Sequence, residues 1–172
     1  MIRLLAALVL FLAALVPAEA AGHESAYTTH DWEKCPAAES SEPDIVTVHK
    51  CTGLGGFDVI WTGEEDGSWV GFGTAPLEEE FGFASFFEAG DRIEWRGPKA
   101  DAPVAAILRY RVGSRIGKLS RTLLVVYRLE PGGKSCIMGE VVGGADANAK
   151  ARRLVDQRAA GFICGTSKRL SQ

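Results

Sequence analysis

Histidine is scarce in this chain. His23, His30 and His49 are the only imidazoles, and no H-x-H, H-E-x-x-H, C-x2-C or G-x-S-x-G spacing occurs. Those gaps remove the local signatures of zinc sites and of the serine nucleophile turn. An excess of positive charge is missing too: 19 Lys and Arg against 22 Asp and Glu leave a formal net charge of -3. A basic patch is the electrostatic footprint of nucleic-acid or anionic-lipid binding, so no nucleic-acid partner is expected. The glycines of "CTGLGGF", Gly53, Gly55 and Gly56, do not follow the G-x-G-x-x-G order and no clear helix comes after them. They read as a tight turn, and no cofactor is expected.

Long apolar runs are also lacking. The longest, residues 4–16, falls short of the roughly 20 residues that span a bilayer, so no stable membrane insertion is expected. It follows Arg3 and precedes Pro17 and the small residues Ala18 and Ala20. A basic start, a short apolar stretch and small residues before the cut are the parts of a secretory signal peptide, with cleavage after Ala20. Residues 1–20 are therefore assigned to the signal and 21–172 to one mature domain, about 150 residues being an ordinary domain size.

Four cysteines are present, all in the mature part. An even count behind a signal peptide predicts two disulfides in an oxidising compartment, with three connectivities open on arithmetic alone. Cys35–Cys51 would close a loop across a turn and Cys136–Cys164 would tie a C-terminal helix to a sheet, so this pairing is preferred.

Period-2 alternation dominates the rest. Residues 57–61 and 69–72 flank Glu64, Glu65, Asp66 and Gly67, a hairpin signature. Ile93 and Trp95 alternate with Arg92, Glu94 and Arg96; after a turn at Gly97 and Pro98, Val104, Ala106, Leu108, Tyr110 and Val112 share one face. Leu123, Val125, Tyr127 and Leu129 alternate with Thr122, Leu124, Val126 and Arg128 before the turn Pro131, Gly132 and Gly133. Both faces of that strand are apolar, which predicts cover on each side. The cover is "DANAKARRLVDQRAAGF", with Asp146 as cap and Ala147, Ala151, Leu154, Val155 and Phe162 as stripe. Lys150, Arg152, Arg153, Asp156 and Gln157 are expected to face water. Leu77, Phe81, Ala84 and Phe87 stand near helical spacing and predict a short central helix, limited by Gly82 and Gly90. The fold class is α+β: a mainly antiparallel sheet packed by a C-terminal helix.

Two groups of residues carry candidate chemistry. Glu94 between Arg92 and Arg96, with Arg109 and Arg111 on the neighbouring strand, is the pattern of an acid or base among anion-binding arginines. The same pattern describes a solvated sheet face held by cross-strand ion pairs, so no catalytic residue is assigned. The second group joins acidic loops to aromatics: Trp61, Glu64, Glu65, Asp66 and Trp69, then Glu78, Glu79 and Glu80 beside Phe81 and Phe83. Negative loops around aromatic anchors suit a basic protein or an envelope component. A non-catalytic binding protein, for example an inhibitor of a basic envelope protein, is the reading that follows. A small envelope hydrolase using Glu94 and the arginines, or a structural envelope protein, are the alternatives.

The order "IEWR" at 93–96, "AAILRYRV" at 105–112, "LLVVYRL" at 123–129 with Cys136, and "NAKARRLVDQRAAGFIC" at 148–164 resembles a group of small secreted proteins of alphaproteobacteria. The similarity covers most of the mature chain, cysteine positions included. It implies export to the periplasm of a Gram-negative bacterium and supplies no catalytic residue.

Overall fold

The computed structural model describes residues 22–82, 84–115 and 117–172; the stretch read as a signal peptide and Phe83 lie outside them. Strands β1 (Glu24–Thr29), β2 (Thr47–Thr52), β3 (Asp58–Glu64) and β4 (Gly67–Phe72) are followed by the long β5 (Phe86–Gly97). Then come β6 (Ala105–Gly113), β7 (Arg121–Glu130), β8 (Lys134–Val142), the helix α1 (Ala147–Arg158) and the short β9 (Leu170–Ser171). The strands form one sheet in the order β2-β3-β4-β5-β6-β7-β8-β9, with β1 added beside β5. Among the described residues only the β4–β5 and β8–β9 pairings are parallel. The architecture is a mainly antiparallel sheet with a single C-terminal α-helix packed on it.

The placement of neighbours turns on β5. Its register with β6 shifts between Ala89 and Ile93. Before the shift β5 meets β4, with Gly67 opposite Phe87; beyond it β1 pairs with residues 92–97. A bulge bends its strand and increases the local twist. The sheet curls, and the Thr74 N–H reaches the Gly133 carbonyl in the β7–β8 turn at 3.1 Å. Gly73 permits that approach: at φ +111 it takes a conformation side chains avoid, and a Cβ there would stand 1.9 Å from the Gly133 oxygen.

Curling gives β6, β7 and β8 two covered faces. Inward, Leu108, Tyr110, Val125, Tyr127 and Ile137 pack with Val59, Val70, Phe72, Ile93 and Trp95. Aromatics lock this layer, with Phe72 against Tyr127 at 4.9 Å and against Trp95 at 5.3 Å. The Tyr110 and Tyr127 hydroxyls share a hydrogen bond of 2.7 Å, and the Val70 N–H donates to Tyr110. Burial pushes both phenols up, so the pair stays neutral and its hydrogen bonds persist across ordinary pH. Outward, Ala105, Ile107, Leu124, Val126 and Met138 meet Ala147, Ala151, Leu154 and Val155 of α1. The doubly apolar β7 is thus covered on both sides.

Three local expectations change. The central helix does not form: the described residues between 75 and 85 make no helix, and Phe86 and Phe87 begin β5, opposite Gly113 and Val112. Leu77 and Phe81 are apolar because they close the inner core from a loop, Phe81 lying 5.4 Å from Tyr110. Strand pairing with β6 overrides a helical pattern already weakened by Gly82. Gly90 and Asp91 lie inside β5 at its bulge. Asp146 occupies the position before α1 but makes no capping bond, because its ψ of 5° departs from the extended geometry a cap needs; its carboxylate pairs with Lys150 at 3.3 Å.

Two disulfides join Cys35 to Cys51 and Cys136 to Cys164. The first fastens a 3-10 turn, Trp32–Lys34, beside β2. The second holds the segment after α1 to β8. Such bridges fit an oxidising compartment. Among the described residues no helix is long and apolar enough to cross a membrane.

Candidate functional site

Glu94 faces α1 rather than water. It is 7 % exposed and is gripped by Arg152, whose Nε lies 2.6 Å from Oε1 and Nη2 3.1 Å from Oε2. The Ser25 hydroxyl of β1 donates to Oε1 at 2.6 Å. Arg96, one pleat along, donates to Ser25 and makes a two-pronged contact of 2.7 Å with Asp156. His23 adds a contact of 3.1 Å to the same carboxylate. Burial pushes the Asp156 carboxyl up, but the hydrogen bond and charge of Arg96, with His23, outweigh it and hold the group below its ordinary value.

Arg152 and Asp156 therefore do not simply face water as the helical pattern predicted; they stand one turn apart and dock the edge of α1 onto β1 and β5. Both oxygens of Glu94 are occupied by this docking. The sequence missed the arrangement because Ser25, Arg152 and Asp156 are distant along the chain. The spacing of Arg152 and Asp156, opposite in charge four residues apart, was the available signal, though each binds a sheet residue instead of the other.

Arg109 and Arg111 are not partners of Glu94. Arg111 pairs with Glu88, directly opposite it in the β5–β6 register. Arg109 donates to the Asn148 side-chain oxygen at 3.0 Å and to Thr122 at 3.5 Å.

The acidic and aromatic residues separate into two places. Trp61 of β3 and the hairpin end Glu64, Glu65 and Asp66 line an open cleft of about 600 Å³ with Trp32, Glu33, His49 and Glu88. No Lys or Arg is among the described residues lining it. The Cys35–Cys51 bridge brings in Trp32 and Glu33, which sequence reading passed over; their nearness to Cys35 was the signal. Trp32 stacks on His30 at 5.1 Å, and the His49 ring sits 5.7 Å from Trp61 with Nδ1 2.9 Å from the Cys35 carbonyl. Burial lowers the His30 imidazole's affinity for a proton. The indole N–H groups of Trp32 and Trp61 are buried with no hydrogen-bond partner among the described residues.

Trp69 packs instead against Phe87, 6.4 Å away, at the margin of the inner core. Glu78, Glu79 and Glu80 do not line the acidic cleft. Glu78 and Glu79 border another hollow, near Cys136 and Cys164. Glu79 accepts the Ile137 N–H and pairs with Arg169 at 3.6 Å, and the Glu80 carbonyl accepts from Arg169 at 2.8 Å. This second acidic loop is engaged in fastening the C-terminal segment.

His30, Cys35 and Cys51 place their ligand atoms within 4.8 Å of one another. Both sulfurs belong to the disulfide, so no thiolate is left to bind a metal. Comparison of the chain with protein-family models, curated proteins and solved structures finds no match.

Proposed function

We propose that this is a non-catalytic periplasmic binding protein whose cleft at the β3–β4 hairpin end receives a cationic group of a basic envelope protein. The observation that carries the reading is the gathering of Glu33, Glu64, Glu65 and Asp66 around Trp32 and Trp61, with no Lys or Arg among the described residues of the lining. A Lys or Arg side chain gains twice in such a place: the carboxylates attract its charge, and an indole face attracts a cation through the ring quadrupole. The carboxylates at the hairpin end are exposed, so they steer an approaching partner as well as hold it. Inhibition of a basic envelope enzyme is one form this binding takes.

The test is titration of the purified chain with oligolysine, read by tryptophan fluorescence and repeated at rising salt. Binding should weaken as salt shortens the screening length toward ~8 Å at physiological strength. It should be lost in the triple variant Glu64→Gln, Glu65→Gln, Asp66→Asn. Equal affinity of the variant and the natural chain would remove the cleft from the proposal.

A further inference from the structure

On the far side of the Glu88–Arg111 pair lies a groove of opposite character. It has a volume of about 570 Å³ and sits between the bulge of β5, β6 and the start of α1. Four arginines line it, Arg92, Arg109, Arg111 and Arg152, against the two carboxylates Asp91 and Glu94. Two of the four are neutralised, Arg152 by Glu94 and Arg111 by Glu88 at the rim. Arg92 lies over the Tyr27 ring at 4.4 Å, and Arg109 donates only to the neutral acceptors Asn148 and Thr122. Neither has a carboxylate within ion-pair distance among the described residues, although Asp91 and Glu94 share the groove.

We infer that this groove binds a phosphate monoester, with Arg92 and Arg109 as its charged ligands. The two guanidinium groups come from different strands, and Asn148 in the first turn of α1 lines the groove beside Arg109. Two guanidinium forks from neighbouring strands suit a phosphoryl group, whose several terminal oxygens can accept from both. The groove, about 570 Å³ and open to solvent, leaves room for an organic body attached to the phosphoryl group. Local sequence makes the site: a Cβ at Gly90 would lie 2.8 Å from the Arg109 carbonyl, so glycine lets the bulge close on β6 and brings residues 91 and 92 to the groove.

The experiment uses the full purified chain with inorganic phosphate and glycerol 3-phosphate as soluble probes, followed by calorimetry and by arginine Nε–Hε resonances at low ionic strength. Phosphatidylcholine vesicles with and without phosphatidic acid form the second arm, which separates a membrane headgroup from a soluble ester. Arg92→Gln should weaken binding by about tenfold, as should Arg109→Gln, while Arg158→Gln on the exposed end of α1 should leave it unchanged. Arg109 also helps seat α1, so thermal unfolding of Arg109→Gln checks its fold. Arg92 lies over the Tyr27 ring and has no side-chain hydrogen bond or ion pair among the described residues, so its variant decides if Arg109→Gln is unstable. Binding to either arm that is lost in Arg92→Gln supports the site and names the source. No binding in either arm, or equal binding by Arg92→Gln, overturns it. Phosphate binding that survives the triple acidic-cleft variant keeps the two sites independent.

Discussion

Glu94 and the trio Glu64, Glu65 and Asp66 are carboxylates on strands or turns of one sheet, yet they live under opposite rules. Glu94 is buried, held by both prongs of Arg152 and by Ser25, and its charge is used in joining α1 to β1 and β5. The trio stands exposed at a hairpin end, and among the described residues none of the three has an ion-pair partner. A buried carboxylate without partners would cost several kcal/mol, so the first environment demands pairing. Water solvates the second at no such cost. Charge committed to the fold is unavailable to a ligand, and charge left in solvent at an aromatic cleft remains available to one.

The contrast predicts a graded series. Arg152→Ala should have the largest effect, lowering stability by about 3 kcal/mol, because it leaves Glu94 buried without its counter-ion. Urea unfolding measures this, and a loss well under 1 kcal/mol would mean that Glu94 is far better hydrated than its burial indicates. Replacing Glu94 and Arg152 together by Leu should recover most of the loss, since apolar pairs often substitute for buried ion pairs without penalty.

Asp156→Asn should cost less, about 1 kcal/mol, because its contacts to Arg96 and His23 are nearer solvent. The folded-state proton affinity of Asp156 is depressed by Arg96 and His23, so its contribution is present above the unfolded value of 3.8 and fades as pH falls below it. Thermal unfolding of the two proteins should therefore converge below about pH 4. A gap that persists at pH 2 would assign the loss to packing instead of charge. The triple change Glu64→Gln, Glu65→Gln, Asp66→Asn should move stability by no more than about 0.5 kcal/mol while abolishing oligolysine binding. A large stability change would place these residues with Glu94 and dissolve the contrast.

The strands and the terminal helix were legible because their patterns are local and repeat many times. Leu123, Val125, Tyr127 and Leu129 against Leu124 and Val126 announced a strand covered on both faces, and α1 announced itself by its stripe. The 75–90 segment misled for a physical reason: a loop plugging the curled sheet buries Leu77 and half-buries Phe81, while Phe86 and Phe87 pair with β6. Apolar spacing reports that residues are covered, and it does not name the backbone that covers them. The candidate cleft was half legible. Trp61 and the acidic turn stood together in sequence, whereas Trp32, Glu33 and Glu88 arrived through the first disulfide and the β5 bend.

The sequence by itself determined the alternation that makes a sheet, the stripe that makes α1 and a cysteine set suited to two bridges, since each rests on neighbours a few residues apart. Which charges are spent was decided only in three dimensions. Glu94 finds Arg152 58 residues away and Arg96 finds Asp156 60 residues away, because the bulge of β5 and the return of α1 across the sheet bring them together. Electrostatic energy depends on distance and burial through space. Both are properties of the closed fold, and no local spacing contains them.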